Sequence, residues 1–143
     1  QLFPAAQARE VGLIVRVPLA SGLLTGKFSA SSTFGAGDHR HGNRNGEWFD
    51  RGETFAGVPF ETGLAAADRV EELLPAGHSL TRAALQWVLR RPEVSCVIPG
   101  ASKPGQVLDN MEAAAQPAPP DTVWQGVQAV YEEAIKAHVH HLW

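Results

Sequence analysis

Two short apolar runs, residues 13–17 and 94–98, are rich in β-branched side chains. A proline follows each run, and proline has no amide hydrogen to donate to a neighbouring strand. This pattern predicts two strands, each buried on both faces by other elements. Cys96, in the middle of the second run, is therefore expected to be a small buried side chain.

Four later segments carry apolar residues at the spacing of an amphipathic helix. The first ends before Pro75, and the second begins after Ser79 or Thr81, either of which can cap it. The last spans residues 121–137 after a proline-rich linker, with Asp121 as its expected cap. Strands that alternate with helices predict an α/β fold with a parallel sheet.

The third helical segment begins at Pro104, because proline suits the first turn of a helix. Val107, Leu108, Met111 and Ala115 recur at helical spacing along it. We expect these four residues to form its buried face.

Between the first strand and the first long helix lies a stretch with little apolar periodicity, residues 28–60. A loop of this length usually covers or binds something. Its aromatic residues predict an ordered loop rather than a disordered one. Trp48 and Phe49 either cover a binding site or only anchor the loop.

The composition narrows the class of protein. The 143 residues carry a net charge of −3 and a single cysteine, which excludes a disulfide framework and argues against a nucleic-acid partner. No apolar run approaches the ~18 residues of a membrane span, so we expect a cytoplasmic protein with no membrane partner. His138, His140 and His141 are expected to be solvated rather than metal ligands.

The chain opens at Gln1 without a methionine, and its two predicted strands are too few for a parallel sheet. We therefore expect it to be part of a larger protein.

The first candidate for chemistry is the segment PLASGLLTGK, residues 18–27, directly after the first strand. Glycines allow backbone amides to approach an anion, and Lys27 adds a positive charge. A nucleotide-binding P-loop is rejected, because the spacing from Gly22 to Lys27 is one residue short and Phe28 replaces the required Ser or Thr. A glycine-rich turn without a ligand remains an equal alternative.

The second candidate, IPGASKPGQVLDN, leads from the second strand into a helix at residues 98–110. The amino terminus of a helix presents unpaired amides and partial positive charge, which favours a phosphate. Ser102 and Lys103 lie at this entrance, while Gln106 and Asn110 are one helical turn apart and can face the same ligand. The alternative is an ordinary capped helix.

Together these two segments resemble the aldo-keto reductases, particularly the bacterial and potassium-channel-β-like branch. That family carries PLxxGxLxGK after its seventh strand and IPGAxxxxQxxxN after its eighth. Residues 85–89, LQWVL, are similar to a helix of the same family just before the second motif. The resemblance extends over about residues 10–135, with the three motifs in the family's order.

The resemblance implies a (β/α)8 TIM barrel that binds NADP(H) and transfers hydride to a small-molecule carbonyl substrate, an aldehyde or a ketone. A barrel needs ~250 residues. This chain corresponds to the C-terminal part, with strands 7 and 8, their helices and a C-terminal extra helix. The implied cofactor-binding residues are Val17, Pro18, Leu19, Ala20, Ser21, Gly22, Lys27, Arg40, Gly100, Ala101, Ser102, Lys103, Gln106, Asp109 and Asn110.

Two departures from the family pattern matter. Arg16 stands where relatives commonly have an aromatic residue that stacks on the nicotinamide, and a planar guanidinium can also stack on a ring. The family's catalytic Asp, Tyr, Lys and His belong to earlier strands, and the one tyrosine here, Tyr131, follows both motifs. We therefore expect no catalytic residue in this chain and no activity from it alone. The alternatives are a cofactor-sensing regulatory subunit of the same fold or a non-functional fragment.

Overall fold

A parallel pair of strands forms the sheet in this computed structural model, which describes residues 2–142. Strand β1 (Leu13–Arg16) pairs with β2 (Val94–Ile98), with Ile14 opposite Cys96 and Arg16 opposite Ile98. Three α-helices lie between the two strands in the chain, so the α/β class and the parallel pairing are confirmed. The expected strand at 13–17 ends one residue early, because Val17 turns into the left-handed region at φ 54°.

The helices follow the predicted order. Ser79 caps the second long helix by accepting a hydrogen bond from the amide of Arg82 at 3.2 Å, and Pro104 opens the next one. Asp121 is the first helical residue, whereas Pro120 occupies the cap position. A π-helical turn at Tyr131–Ile135 joins the last two helices. The bounds are α1 Leu2–Ala8, α2 His39–Gly42, α3 Phe60–Leu73, α4 Leu80–Leu89, α5 Pro104–Ala115, α6 Asp121–Val130 and α7 Lys136–Val139.

The two strands are not buried on both faces, which corrects the expectation from the sequence. Ile14 is 67% exposed and Ile98 54% exposed, while Leu13 and Val15 on the other face of β1 are half-buried. Cys96 is exposed as well. Within residues 2–142 each strand has one neighbour in the sheet, and the face that carries Ile14, Cys96 and Ile98 is uncovered.

Helix α5 also presents a different face from the one expected. Val107, Leu108 and Met111 are exposed, as is Ala115, whereas Ala113 is buried. The orientation is set by Gln86 of α4, which is 6% exposed and donates to the carbonyls of Ala113 and Gln116, both at 3.0 Å.

The segment after β1 has its own small core. Leu23, Phe55 and Phe60 are buried together, and Phe28 and Phe34 pack against them. The rings of Phe55 and Phe60 lie 4.9 Å apart. Residues 28–60 are thus a folded loop with short helical turns, and this core holds the loop against the end of β1.

Among residues 2–142, no helix combines the length and the apolar character needed to cross a membrane.

Candidate functional site

A cleft of about 740 Å³ opens where both strands end. Its walls come from the exit of β1, the exit of β2 and the folded loop, which contributes His39, Arg40, Phe49 and Glu53. The glycines of the two sequence motifs, Gly22 and Gly100, line this same cleft. A volume of this size is in the range of cofactor and small-molecule sites.

Most of the residues predicted to bind a cofactor lie in the cleft wall. The wall includes Val17, Pro18, Leu19, Ser21, Gly22, Arg40, Gly100, Ala101, Ser102 and Gln106.

Five predicted residues lie elsewhere. Ala20 packs against the core of the loop, and Lys27 is exposed outside the cleft. Lys103 lines an adjoining depression at the start of α5. Asp109, which is exposed, and Asn110, which is half-buried, lie further along α5.

The floor of the cleft is a strained turn. Val17, Ala20 and Ser21 have positive φ angles of 54°, 47° and 55°, and Gly22 has a φ of 102°. Such conformations cost side-chain-bearing residues about 1–3 kcal/mol each and persist where the surroundings enforce them, often at functional sites. A Cβ at Gly22 would lie 2.8 Å from the ring of Phe28. Glycine is therefore required at this position.

Ser21 connects the floor to the loop through three hydrogen bonds. Its hydroxyl donates to the carbonyl of Glu53 at 3.4 Å and accepts from the amide of Phe55 at 3.3 Å. Its own carbonyl accepts from Nη1 of Arg40 at 3.2 Å. The loop is thus fixed to the floor from two sides.

Arg40 forms a fixed part of the wall. Its Nε and Nη2 donate to the two carboxylate oxygens of Asp38 at 2.9 and 2.5 Å. The guanidinium carbon lies 4.8 Å from the ring centre of Phe34 and 5.4 Å from that of Phe28. The hydrogen bonds from Arg40 lower the pKa of Asp38 from 3.8 to about 2. Three of the nitrogens of Arg40 are thus already bonded within the chain.

Arg16 and Glu53 form a second ion pair in the cleft wall. The guanidinium Nη1 and Nη2 donate to Oε1 and Oε2 at 2.9 and 2.6 Å. These hydrogen bonds lower the pKa of Glu53 and raise that of Arg16. Glu53 was not singled out from the sequence, and no local pattern marks it, because its partner lies 37 residues earlier.

A buried polar cluster shapes the loop behind His39. Asn43 is fully buried and its amide nitrogen donates to the hydroxyl of Thr54 at 3.0 Å, while Nδ1 of His39 lies 3.1 Å from the same hydroxyl. The Asn43 amide oxygen accepts from the backbone amides of Trp48 and Phe49 at 3.1 and 2.9 Å. Of the two aromatic residues, Phe49 reaches the cleft and Trp48 does not.

The amino terminus of α5 is capped by its own chain. Oε1 of Gln106 accepts from the amides of Ser102 and Lys103 at 2.7 and 3.1 Å and from the Ser102 hydroxyl at 3.2 Å. The Gln106 side chain thus holds the turn after β2 in a defined shape beside the cleft.

The titratable side chains of the described cleft wall are Arg16, His39, Arg40 and Glu53. Tyr131 lies on the C-terminal helical segment, where its hydroxyl is 2.8 Å from Nδ1 of His140, and it does not reach this wall. In the part of the chain described, no three or more His, Cys, Asp or Glu side chains are grouped as a metal site. Both arginines of this wall are paired with carboxylates of the chain, Arg16 with Glu53 and Arg40 with Asp38.

Comparison with known proteins agrees with the sequence motifs. The model of the aldo/keto reductase family matches residues 1–132. The L-glyceraldehyde 3-phosphate reductase of Escherichia coli K12 is 34% identical over 113 residues, which cover 78% of this chain and 31% of that protein. A putative voltage-gated potassium channel subunit beta of Schizosaccharomyces pombe is 32% identical over 117 residues, with the same coverage of both chains.

Solved structures match over nearly the whole chain. The glycerol dehydrogenase of Gluconobacter oxydans superposes with a TM-score of 0.71 at 29% identity, covering 97% of this chain and 38% of that one. The holo form of an aldo-keto reductase from Bacillus halodurans gives 0.54 at 26% identity, covering 90% of this chain and 36% of that one. The chain thus spans about a third of the length of the curated relatives it matches.

Proposed function

The chain belongs to the aldo/keto reductase family, and we propose that it forms the cofactor-binding part of an NADPH-dependent reductase of aldehydes or ketones. The observation that carries this proposal is the single cleft shared by the two glycine-bearing strand exits, Gly22 after β1 and Gly100 after β2. One dinucleotide that spans this cleft would contact both motifs at once.

The two strand exits that line the cleft differ in a way that suits the two ends of NADPH. The turn after β2 brings the Lys103 ammonium group to the amino terminus of α5, and both favour a phosphate. Gln106 accepts from the Ser102 hydroxyl and from the amides of Ser102 and Lys103, so it holds this turn in shape. An added Cβ at Gly100 meets no heavy atom within 4 Å, so this turn leaves open space for a ligand. The nicotinamide end then lies toward Arg16 and His39. When bound, the cofactor would supply the hydride.

We further propose that the proton required at the substrate oxygen comes from residues outside this sequence. Tyr131 is bonded to His140 away from the cleft, and the lysines do not line it. The role of this chain is then to bind and orient the cofactor beside a small carbonyl substrate. On its own it would reduce no carbonyl compound.

The test is Gly100→Ala, because this change adds one methyl group to the cleft, and that methyl group would contact no other atom of the protein. Overfilling a packed contact by a methyl group costs about 1–3 kcal/mol, or about a five- to 150-fold loss in affinity for NADPH. We expect this loss in a fluorescence titration of the purified protein, with an unchanged melting temperature. NADH should bind more weakly than NADPH to the unmodified protein, because the Lys103 ammonium group would meet the 2′-phosphate.

Gly37→Ala is the matched control, since its added Cβ also meets nothing within 4 Å but Gly37 lies outside both the cleft and α5. This variant should bind NADPH like the unmodified protein. A folded Gly100→Ala variant with unchanged affinity, or a folded parent that binds no NADPH, would contradict the proposal.

The potassium-channel relative favours a regulatory subunit as the second candidate function. A turnover assay of the full-length protein distinguishes a reductase from a regulatory subunit. A regulatory subunit would bind NADPH without consuming it when an aldehyde is added, whereas a reductase would oxidise it.

A further inference from the structure

The end of the cleft at the exit of β1 carries the Arg16–Glu53 ion pair. Arg16 is the last residue of β1, and Glu53 ends a short helical turn of the loop, Arg51–Glu53. Both line the cleft, and their side chains meet through two hydrogen bonds of 2.9 and 2.6 Å. The carbonyl of Glu53 also accepts a hydrogen bond from Ser21 at 3.4 Å, so its backbone is held to the floor.

We propose that Glu53 is a positioning residue that neutralises Arg16, so that the cleft accepts the oxidised cofactor as well as the reduced one. This inference rests on the proposed function, which places the nicotinamide ring at this end. The ring carries a positive charge in NADP⁺ and none in NADPH. A guanidinium plane suits a flat ring as a stacking surface, but its charge repels the oxidised form. Glu53 removes that penalty and holds the plane in a fixed orientation.

The surrounding charges leave this task to Glu53. Arg40, the other arginine of the wall, is paired with Asp38, and His39 is hydrogen-bonded to Thr54. Glu53 is the one carboxylate among the residues that line the cleft in the described part of the chain. Its loss would leave the charge of Arg16 without a partner beside the ring.

The experiment compares NADP⁺ and NADPH in the same binding assay. Glu53→Gln keeps the size of the side chain and an oxygen that can accept from Arg16, but removes the negative charge. We expect NADP⁺ to lose about three- to tenfold in affinity relative to NADPH, since exposed charges a few ångströms apart interact weakly but measurably. The double variant Arg16→Gln with Glu53→Gln removes both charges and should bring the ratio of the two affinities back.

Glu61→Gln is the control. Glu61, in the first turn of α3, forms an ion pair with Arg44 of the loop, and neither residue lines the cleft. It should leave the ratio of the NADP⁺ and NADPH affinities unchanged. If both cofactors bind and Glu53→Gln does not alter this ratio, the role of Glu53 is refuted while the proposed function stands. If the folded parent binds neither cofactor, the proposed function fails and this inference with it.

Discussion

Replacing Gly22 by alanine tests how tightly the floor of the cleft is specified. Gly22 has a φ of 102°, a conformation that costs a residue with a Cβ about 1–3 kcal/mol. The new Cβ would also lie 2.8 Å from two ring atoms of Phe28. Phe28 cannot move freely, because its ring packs edge-on against Phe34 with centroids 5.3 Å apart and lies against the buried core of the loop.

Displacing a packed ring typically costs about 1–3 kcal/mol, so Gly22→Ala should lower the free energy of unfolding by about 2–6 kcal/mol in total. Urea unfolding followed by tryptophan fluorescence measures this loss. NADPH affinity should fall as well, because Gly22 lines the cleft.

Gly26→Ala separates the two causes. Gly26 has a φ of 68°, but its added Cβ would lie 3.5 Å from the nearest atom, the Glu71 carboxylate, which is ordinary contact. This variant should lose only the backbone cost, about 1–2 kcal/mol. If Gly22→Ala is no less stable than Gly26→Ala, then the contact with Phe28 does not constrain the floor.

Two further predictions concern the loop that forms one wall of the cleft. Asn43→Ala should lower the free energy of unfolding by about 2–3 kcal/mol, because the Thr54 hydroxyl and the amides of Trp48 and Phe49 lose their buried partner. Hydrogen exchange should be faster at the amides of Trp48 and Phe49. Unchanged protection of these two amides would show that Asn43 does not hold the loop. Asp38 has a lowered pKa, so its ionised carboxylate stabilises the fold. This stabilisation is fully present above the usual pKa of 3.8 and is lost as pH falls toward about 2. As pH falls over this range, the free energy of unfolding should therefore decrease more steeply in the parent than in Asp38→Asn. Identical pH profiles of the two proteins would show that the Asp38 carboxylate does not stabilise the fold.

Local patterns predicted the elements well. Proline after each apolar run, Ser79 as a cap and Pro104 at a helix start act within a few residues, so their effects are visible in the sequence. The two glycine motifs also identified the strand exits that meet in one cleft, because parallel strands place their carboxyl ends on the same edge of a sheet. The resemblance to the aldo-keto reductases, drawn from these motifs, is confirmed by the family match.

Burial was predicted less well, because apolar periodicity identifies the apolar face of an element but not the element that packs against it. Val107, Leu108 and Met111 have the spacing of a core face and are exposed, since Gln86 orients α5 through the carbonyl groups at its other end. The exposed face of the strands has the same origin, because a short apolar run does not reveal which elements pack against each face of a strand.

By itself the sequence determined the order of the two strands and the four longer helices, the parallel pairing, the family and most of the residues around the cleft, since these follow from periodicity, turn residues and contiguous motifs. Only the tertiary structure decided which side chains neutralise one another there. Glu53 reaches Arg16 across 37 residues, and Ser21 holds two separate parts of the loop. Such pairs depend on how a long loop folds back over its strand, and the path of that loop is set by the packing of Phe28, Phe34, Phe55 and Phe60 rather than by any local pattern.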